Sequence, residues 1–382
     1  MKILSCIQTM DPSNGGPPIV LKNQLKVINK NKLFVRVFVF KRISIIYLLK
    51  SIFFPSKNNK MNKFLLKYDI IHFHELWTIK AILVAYFARK FNIRYLYVGH
   101  GYLDPWSVKQ RFIKKKLFIK LFLQRAYDYS SASFFSTFSE YIDATKNIKV
   151  RNAFIIPNGT DLILFSQKEY NKSSIKKIVF FGRIHEKKGI EVLLESISKL
   201  PKNYFQKFHF EITGPGEENY VNYIKNKINE YDISNYVKLI KPIFNKEKVT
   251  YLKQADVFVL PSFEEGDSIA LKEAISIGIP VIISKQCRMD IVEKCKAGIV
   301  IDTNSDELSK ALLSLEELNL EKMGNNARTL AEKFYNNIDC TNRLFHIYED
   351  LFTGNRTSPD WINLDKVNRT SPDWINLDKV NS

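Results

Sequence analysis

The chain has 382 residues, 45% hydrophobic and 25% charged, which suits two ordinary domains with a core each and excludes a disordered or low-complexity chain. Its four cysteines (Cys6, Cys287, Cys295, Cys340) form no CxxC pair and have no histidine-rich companion, so neither a disulfide framework nor a structural zinc site is expected and a reducing cytoplasm fits. The formal charge of +19 is lopsided: residues 1–160 hold 27 basic and 7 acidic side chains, residues 161–382 hold 31 and 32, so the excess lies in the first part and points to an anionic partner there, whether membrane surface, polyanionic substrate or nucleic acid.

Met1 to Cys6 runs at once into polar residues, so no signal peptide is expected, and the apolar stretch Ile43 to Phe54 is broken by Lys50 and too short to span a bilayer. In chain order, Ile3 to Ile7 predicts a strand, Asp11 to Pro18 a loop and Ile19 to Ile28 a helix. Leu33 to Phe40, Tyr68 to His74, Arg94 to Gly99 and Ala132 to Ser136 predict further strands. Between them, Leu76 to Phe91 reads as a helix and Trp106 to Tyr129 as one long basic helix. The alternation restarts after residue 165, with strands at Lys177–Phe181, His209–Thr213, Val237–Leu239, Val257–Leu260 and Val281–Ile283. Helices are expected at Gly189–Leu200, Tyr220–Tyr231, Lys246–Gln254, Ala270–Ser276, Ser305–Leu315 and Asn325–Leu351.

This pattern predicts an α/β protein of two Rossmann-like doubly wound domains, residues 1–165 and 166–350, facing a central cleft. Ligands are expected at the carboxyl ends of the strands. Residues 351–382 form a separate tail. In it the 13-residue unit Asn355–Val367 recurs unchanged at Asn368–Val380. Two copies are too few for a solenoid, and the tail is expected to be disordered or weakly helical and dispensable for chemistry.

Three segments carry chemistry. Gly15 and Gly16, between the first strand and first helix, would let backbone approach an anion at a helix N-terminus, though they match no GxGxxG fingerprint. The turn Gly182-Arg183-Ile184-His185-Glu186-Lys187-Lys188-Gly189 follows a strand and precedes a helix, so Arg183 and Lys188 can meet one diphosphate, one as a fork and the other as a mobile point charge. In the third segment, Glu265 and Glu273 are separated by seven residues across a strand-to-helix turn. Carboxylates suit sugar hydroxyls, and the backbone N–H groups of the intervening helix start suit phosphate.

Together with His100-Gly101-Tyr102-Leu103-Asp104-Pro105-Trp106, Ile156-Pro157-Asn158-Gly159-Thr160-Asp161 and Thr213-Gly214-Pro215-Gly216, these segments identify a resemblance. The chain resembles the GT-B retaining glycosyltransferases of family 4 over nearly all of residues 1–350, and the His100–Trp106 segment looks like that of enzymes that build bacterial surface polysaccharides, lipopolysaccharide included. The resemblance implies that Gly16 lies by the donor diphosphate, with Gly15 and Gly214 in the same nucleotide-binding set. It places Arg183 and Lys188 on the phosphates, Glu273 on the ribose and Glu265 on the transferred sugar. Gly266, Asp267, Ser268 and Ile269 would present backbone N–H groups to the donor, and His100 would face the reacting sugar. Where many relatives have Gly-Phe-Gly after the first glutamate, this chain has Gly266-Asp267-Ser268, so sugar identity does not carry over.

His72 and His74 are expected to shape the first-domain cleft without holding a metal, and Asp161 to pack at the domain junction. Lys109 to Arg125 is amphipathic, with Phe112, Leu117, Leu121 and Gln124 on one stripe and lysines on another; contact with anionic lipid is the favoured reading. The function expected is therefore transfer of a sugar from a UDP- or GDP-sugar to a glycan or lipid-linked acceptor, without metal or other cofactor, at the inner face of the cytoplasmic membrane. A sugar-nucleotide epimerase on the same fold and a basic nucleic-acid-binding protein are the rivals. No recognisable nucleic-acid-reading motif supports the second, and no nucleic-acid partner is expected.

Overall fold

The structure, a computed structural model, describes residues 1–11, 16–28, 34–42, 44–46, 48–49, 60–109, 111–170, 175–359 and 361. The chain divides into two compact units, Met1–Asn158 with the residues from Ile338 onward, and Gly159–Asn337.

In the first unit, strands β1 (Lys2–Ile7), β2 (Phe34–Val39), β3 (Ile70–Phe73), β4 (Arg94–Val98), β5 (Ala132–Phe135) and β6 (Ala153–Ile155) form a parallel sheet in the order β2-β1-β3-β4-β5-β6. Strands β3 and β5 are buried along their whole length, as the near-continuous apolar runs of a sheet covered on both faces require. The order reverses between β1 and β3. This sheet is doubly wound as expected, with that reversal marking its switch point. On one face Leu4, Ile71, Phe73 and Tyr97 pack with Val84 and Phe87 of the helix Ile79–Lys90. On the other, Ile3, Leu96, Phe134 and Phe154 pack with Leu344, Ile347 and Tyr348 of the helix Asn337–Thr353.

That last helix corrects the expected boundaries. Asn325 to Leu351 is not one helix: Leu320–Phe334 and Asn337–Thr353 are separated at Tyr335 and Asn336. There the Thr160 N–H donates to the Tyr335 carbonyl (2.6 Å) and the Asn337 N–H to the Thr160 carbonyl (3.0 Å), so backbone groups that would continue the helix are engaged elsewhere. A Cβ on Gly159 would collide with the Asn337 backbone; glycine is needed for this close approach. The first unit therefore ends at Asn158 rather than 165 and regains the chain at Ile338. Asp161 caps a local turn, accepting the Leu164 N–H at 3.1 Å.

The expected long basic helix is likewise divided. Arg111 sits at φ 57°, separating Pro105–Lys109 from Phe112–Phe118, a π-helical turn follows at Ile119–Leu123, and Gln124–Asp128 completes the run. Part of the first tail copy is ordered against the expectation: residues 355–359 and 361 include Ser358, which is buried, and Trp361, which pairs with β6. The second copy, and Gly15, lie outside the described residues.

The second unit holds β7 (Lys176–Phe181), β8 (Phe208–Thr213), β9 (Val237–Ile240), β10 (Val257–Leu260), β11 (Val281–Ser284) and β12 (Gly298–Ile301), all parallel, in the order β12-β11-β10-β7-β8-β9. This is the Rossmann order, with its reversal between β7 and β10. Three cysteines are buried and one half-buried, and the four form no disulfide.

Candidate active site

The reversal between β7 and β10 sends the loops at their carboxyl ends to opposite sides and makes that point the place for a ligand. Both charged segments singled out in the second unit leave from it. After β7, Gly182 and the exposed Arg183 lead into the 3-10 turn Glu186–Lys188. After β10, Pro261 to Ser268 lead into the helix Ile269–Ile277.

Two glycines allow the loops to close on one another. Gly189 has φ +66°, and a Cβ there would strike the Pro261 carbonyl; Gly214 has φ +152°, and a Cβ there would strike the Gly182 carbonyl. The Phe263 N–H donates to the Lys187 carbonyl at 2.8 Å, joining the two loops. Lys188 Nζ then donates to Glu265 Oε1 at 2.5 Å, and the Ser262 hydroxyl donates to the same oxygen at 2.7 Å. Burial works to raise the Glu265 carboxyl, but the Lys188 ammonium and Ser262 overcome it and hold it below the ordinary range.

Glu273, one turn into the helix and 3% exposed, accepts from Lys248 Nζ at 2.6 Å. Here burial dominates, and the carboxyl is raised despite Lys248. Ser268 caps the helix through the Leu271 N–H, and the Asp267 carboxylate pairs with Lys272 inside the same segment. The Asp267 side chain is thus engaged with its own helix.

In the first unit, Gly16 begins the helix Gly16–Ile28. His100 follows β4 in a left-handed conformation, φ 46°, with Gly101 at 69°. Such backbone persists where its surroundings over-determine it, and Glu140 supplies the determinant. Its carboxylate accepts the Gly101 N–H at 2.6 Å and the Ser136 N–H at 2.7 Å. The sequence offers a hint, because Thr137 and Glu140 have capping-box spacing, and the Thr137 hydroxyl does accept the Glu140 N–H at 3.1 Å. The carboxylate, however, also reaches across to the His100–Gly101 turn.

His100 Nε2 lies 3.2 Å from His74 Nδ1. His74 stacks on His72 with centroids 4.3 Å apart, and His72 Nδ1 lies 2.6 Å from the Tyr348 hydroxyl. Burial lowers all three imidazoles, His72 and His100 to about 3, with their mutual repulsion adding to it at His72 and His74. Beside them burial raises Glu75 to about 7, although the Gln8 N–H and the Tyr102 hydroxyl work to lower it. Reasoning from sequence missed Lys248, Glu140, Ser262 and Glu75.

The arrangement at the β7–β10 reversal can be set against known proteins. The family model of glycosyl transferases group 1 matches residues 164–330. Over those residues the chain is similar to group 1 glycosyl transferases. The putative colanic acid biosynthesis glycosyltransferase WcaL of Escherichia coli strain K12 is 28% identical over 186 residues, 46% of this chain and 45% of WcaL. The chain thus spans about half the length of this curated relative. An uncharacterized glycosyltransferase of Methanocaldococcus jannaschii, MJ1178, is 25% identical over 294 residues, 74% of this chain and 76% of that protein. Among solved structures, Anabaena Alr3699/HepE in complex with UDP-glucose superposes with a TM-score of 0.73 at 18% identity, covering 92% of this chain and all of HepE. The fold is GT-B, as in these structural neighbours. The matched stretch contains Arg183, Lys188, Gly214, Glu265, Gly266, Asp267, Ser268, Ile269 and Glu273.

Proposed function

We propose that the protein is a retaining glycosyltransferase that takes a sugar from a UDP- or GDP-sugar and places it on a hydroxyl of a glycan or lipid-linked glycan in surface polysaccharide biosynthesis. The observation that carries this reading is the meeting of Lys188 and Glu265 beside the β7–β10 reversal, within the matched stretch. A cation for the diphosphate and an acceptor for sugar hydroxyls are supplied by two loops far apart in sequence.

In this reading Arg183 and Lys188 neutralise the charge that develops on the leaving diphosphate, and preorganised donors of this kind are among the largest sources of rate enhancement. The bond from the anomeric carbon to the diphosphate oxygen breaks, the acceptor oxygen bonds to that carbon on the same face, and its proton leaves with the diphosphate. Glu273 holds the ribose and Glu265 the sugar. The name of WcaL, in colanic acid biosynthesis, supports a polysaccharide acceptor.

The exposed face of residues 109–125 supports docking on an anionic membrane. Phe112, Ile113, Leu117, Leu121 and Phe122 are all exposed, Ile113 at 80%. They stand among the exposed Lys109, Lys114, Lys116 and Lys120. Apolar side chains beside cations enter the headgroup boundary. Lys115 is turned inward, donating to the Ser107 carbonyl at 2.6 Å with its ammonium over Trp77. Among the described residues no helix is long and apolar enough to cross a membrane.

A panel of UDP-, GDP- and dTDP-sugars tests the activity. One donor should release its diphosphate faster when acceptor glycan is added, and Glu265→Ala should lose that turnover while still binding the free nucleotide. Conversion of a donor to its epimer, with no dependence on acceptor, would overturn the reading.

A further inference from the structure

Residues 356–358 and 361, in the first copy of the duplicated unit, sit in a built site. Asp350, in the last turn of the C-terminal helix and 3% exposed, accepts from the Thr357 N–H at 3.0 Å and its hydroxyl at 2.6 Å. It also accepts from the Ser358 N–H at 2.9 Å and from Trp361 Nε1 at 2.7 Å. Trp361 stands edge-on to Phe154, with ring centroids 5.6 Å apart, and bridges the Phe154 backbone in antiparallel sense. Phe154 lies on β6, the edge of its sheet, so the segment covers backbone that an edge strand leaves open to pairing. Arg356 lies over the Trp361 ring at 5.1 Å and donates to Asn152 Oδ1 at 2.6 Å.

Three of these residues are read by their side chains, through the Arg356 guanidinium on Asn152 and over the indole ring and through the Thr357 hydroxyl and the Trp361 indole N–H on the buried carboxylate, while Ser358 contributes its backbone N–H. Every one of them recurs thirteen residues later, as Arg369, Thr370, Ser371 and Trp374. We propose that Asn152, Phe154 and Asp350 form a peptide-binding site for the segment Arg-Thr-Ser-Pro-Asp-Trp, and that the second copy, residues 369–374, is an alternative occupant of this site within the same chain. The copies compete for it. Thr357 is 7 residues from Asp350 and Thr370 thirteen further on; because closure probability falls as about the 3/2 power of loop length, the nearer copy is favoured about fivefold. The second copy takes over when the first is disabled.

Full-length chain labelled with 5-fluorotryptophan tests this by fluorine NMR, with Trp77, Trp106, Trp361 and Trp374 assigned by Trp→Phe substitution. In the parent, Trp361 should hold the docked resonance, with Trp374 docked in about one molecule in six. Combining Arg356→Ala, Thr357→Ala and Trp361→Phe should move the Trp374 resonance to the docked position. Asp350→Ala should remove that position for both tryptophans, with an unchanged Trp77 resonance reporting that the unit is still folded. In case the triple variant fails to fold, Arg369→Ala with Trp374→Phe in the parent should raise the docked share of Trp361 from about five-sixths to all. A Trp374 resonance indifferent to the loss of the first copy would overturn the proposal. So would Trp374 docking that rises with protein concentration and doubles the sedimenting mass, because the occupant would then come from a second molecule.

Discussion

Two buried carboxylates, Glu265 and Glu273, each hold a lysine from another part of the same unit, Lys188 and Lys248. The glutamates were legible because their spacing across one strand-to-helix turn is local. Lys248 was not, because its helix, Asn245–Lys253, comes beside Glu273 only when the second sheet and its helices pack. Glu140 shows the same limit. Its capping-box spacing is written in the sequence, but its bond to the Gly101 N–H spans 39 residues. Glu140→Ala leaves the Gly101 and Ser136 N–H groups without this acceptor, and a buried donor so orphaned costs roughly 1–3 kcal/mol. Urea denaturation should show that loss, and Glu140→Gln, which keeps one carbonyl acceptor, should recover part of it. Equal stability of the parent and the alanine variant would show that the His100–Gly101 turn is held by other contacts.

Among the elements, β3 carries an unusual load, with His72 buried inside the sheet and His74 just beyond its end. The alternation of the strand put both on one face and was readable. The partner of His72, Tyr348, was not, because it comes from the C-terminal helix. That helix reads in sequence as a continuation of the second domain, and backbone bonds at Thr160 engage the break between the two. Burial lowers both imidazoles, His72 to about 3, whereas an unfolded histidine titrates near 6.5. Below about pH 6.5 the unfolded chain takes up protons that the folded unit refuses, so stability falls as pH drops toward 3. Denaturation at pH 7.5 and pH 5 should show this loss, and His72→Gln, which does not titrate but can still hydrogen-bond Tyr348, should flatten it. An acid limb unchanged by the substitution would assign the loss to other groups.

For the whole molecule, the α/β class, the doubly wound sheets and the resemblance over residues 1–350 were legible from strand and helix alternation and from loop motifs. The return of the chain to the first unit at Ile338 and the docking of the first tail copy were not, since both depend on contacts remote in sequence. The charge split, 27 basic to 7 acidic over residues 1–160, acquires a surface in the exposed lysines and apolar side chains of residues 109–125. Surface attraction fades beyond a Debye length of about 8 Å at physiological salt. Binding to vesicles containing anionic phospholipid should therefore fall as salt rises and be weak on neutral vesicles. Lys114→Glu, Lys116→Glu and Lys120→Glu together should weaken it with donor hydrolysis intact, while Lys115→Glu alone should act through stability. Equal binding to neutral and anionic vesicles would remove the membrane reading. In the proposed reading the second unit binds a nucleoside diphosphate between the β7 and β10 loops, which calorimetric titration of UDP and GDP measures. The parent should bind one of them, and Lys188→Ala should weaken that nucleotide about ten- to a hundredfold, the scale of a charge-assisted hydrogen bond, as should Glu273→Ala. Binding of neither nucleotide, or equal affinity in the parent and both variants, would contradict it.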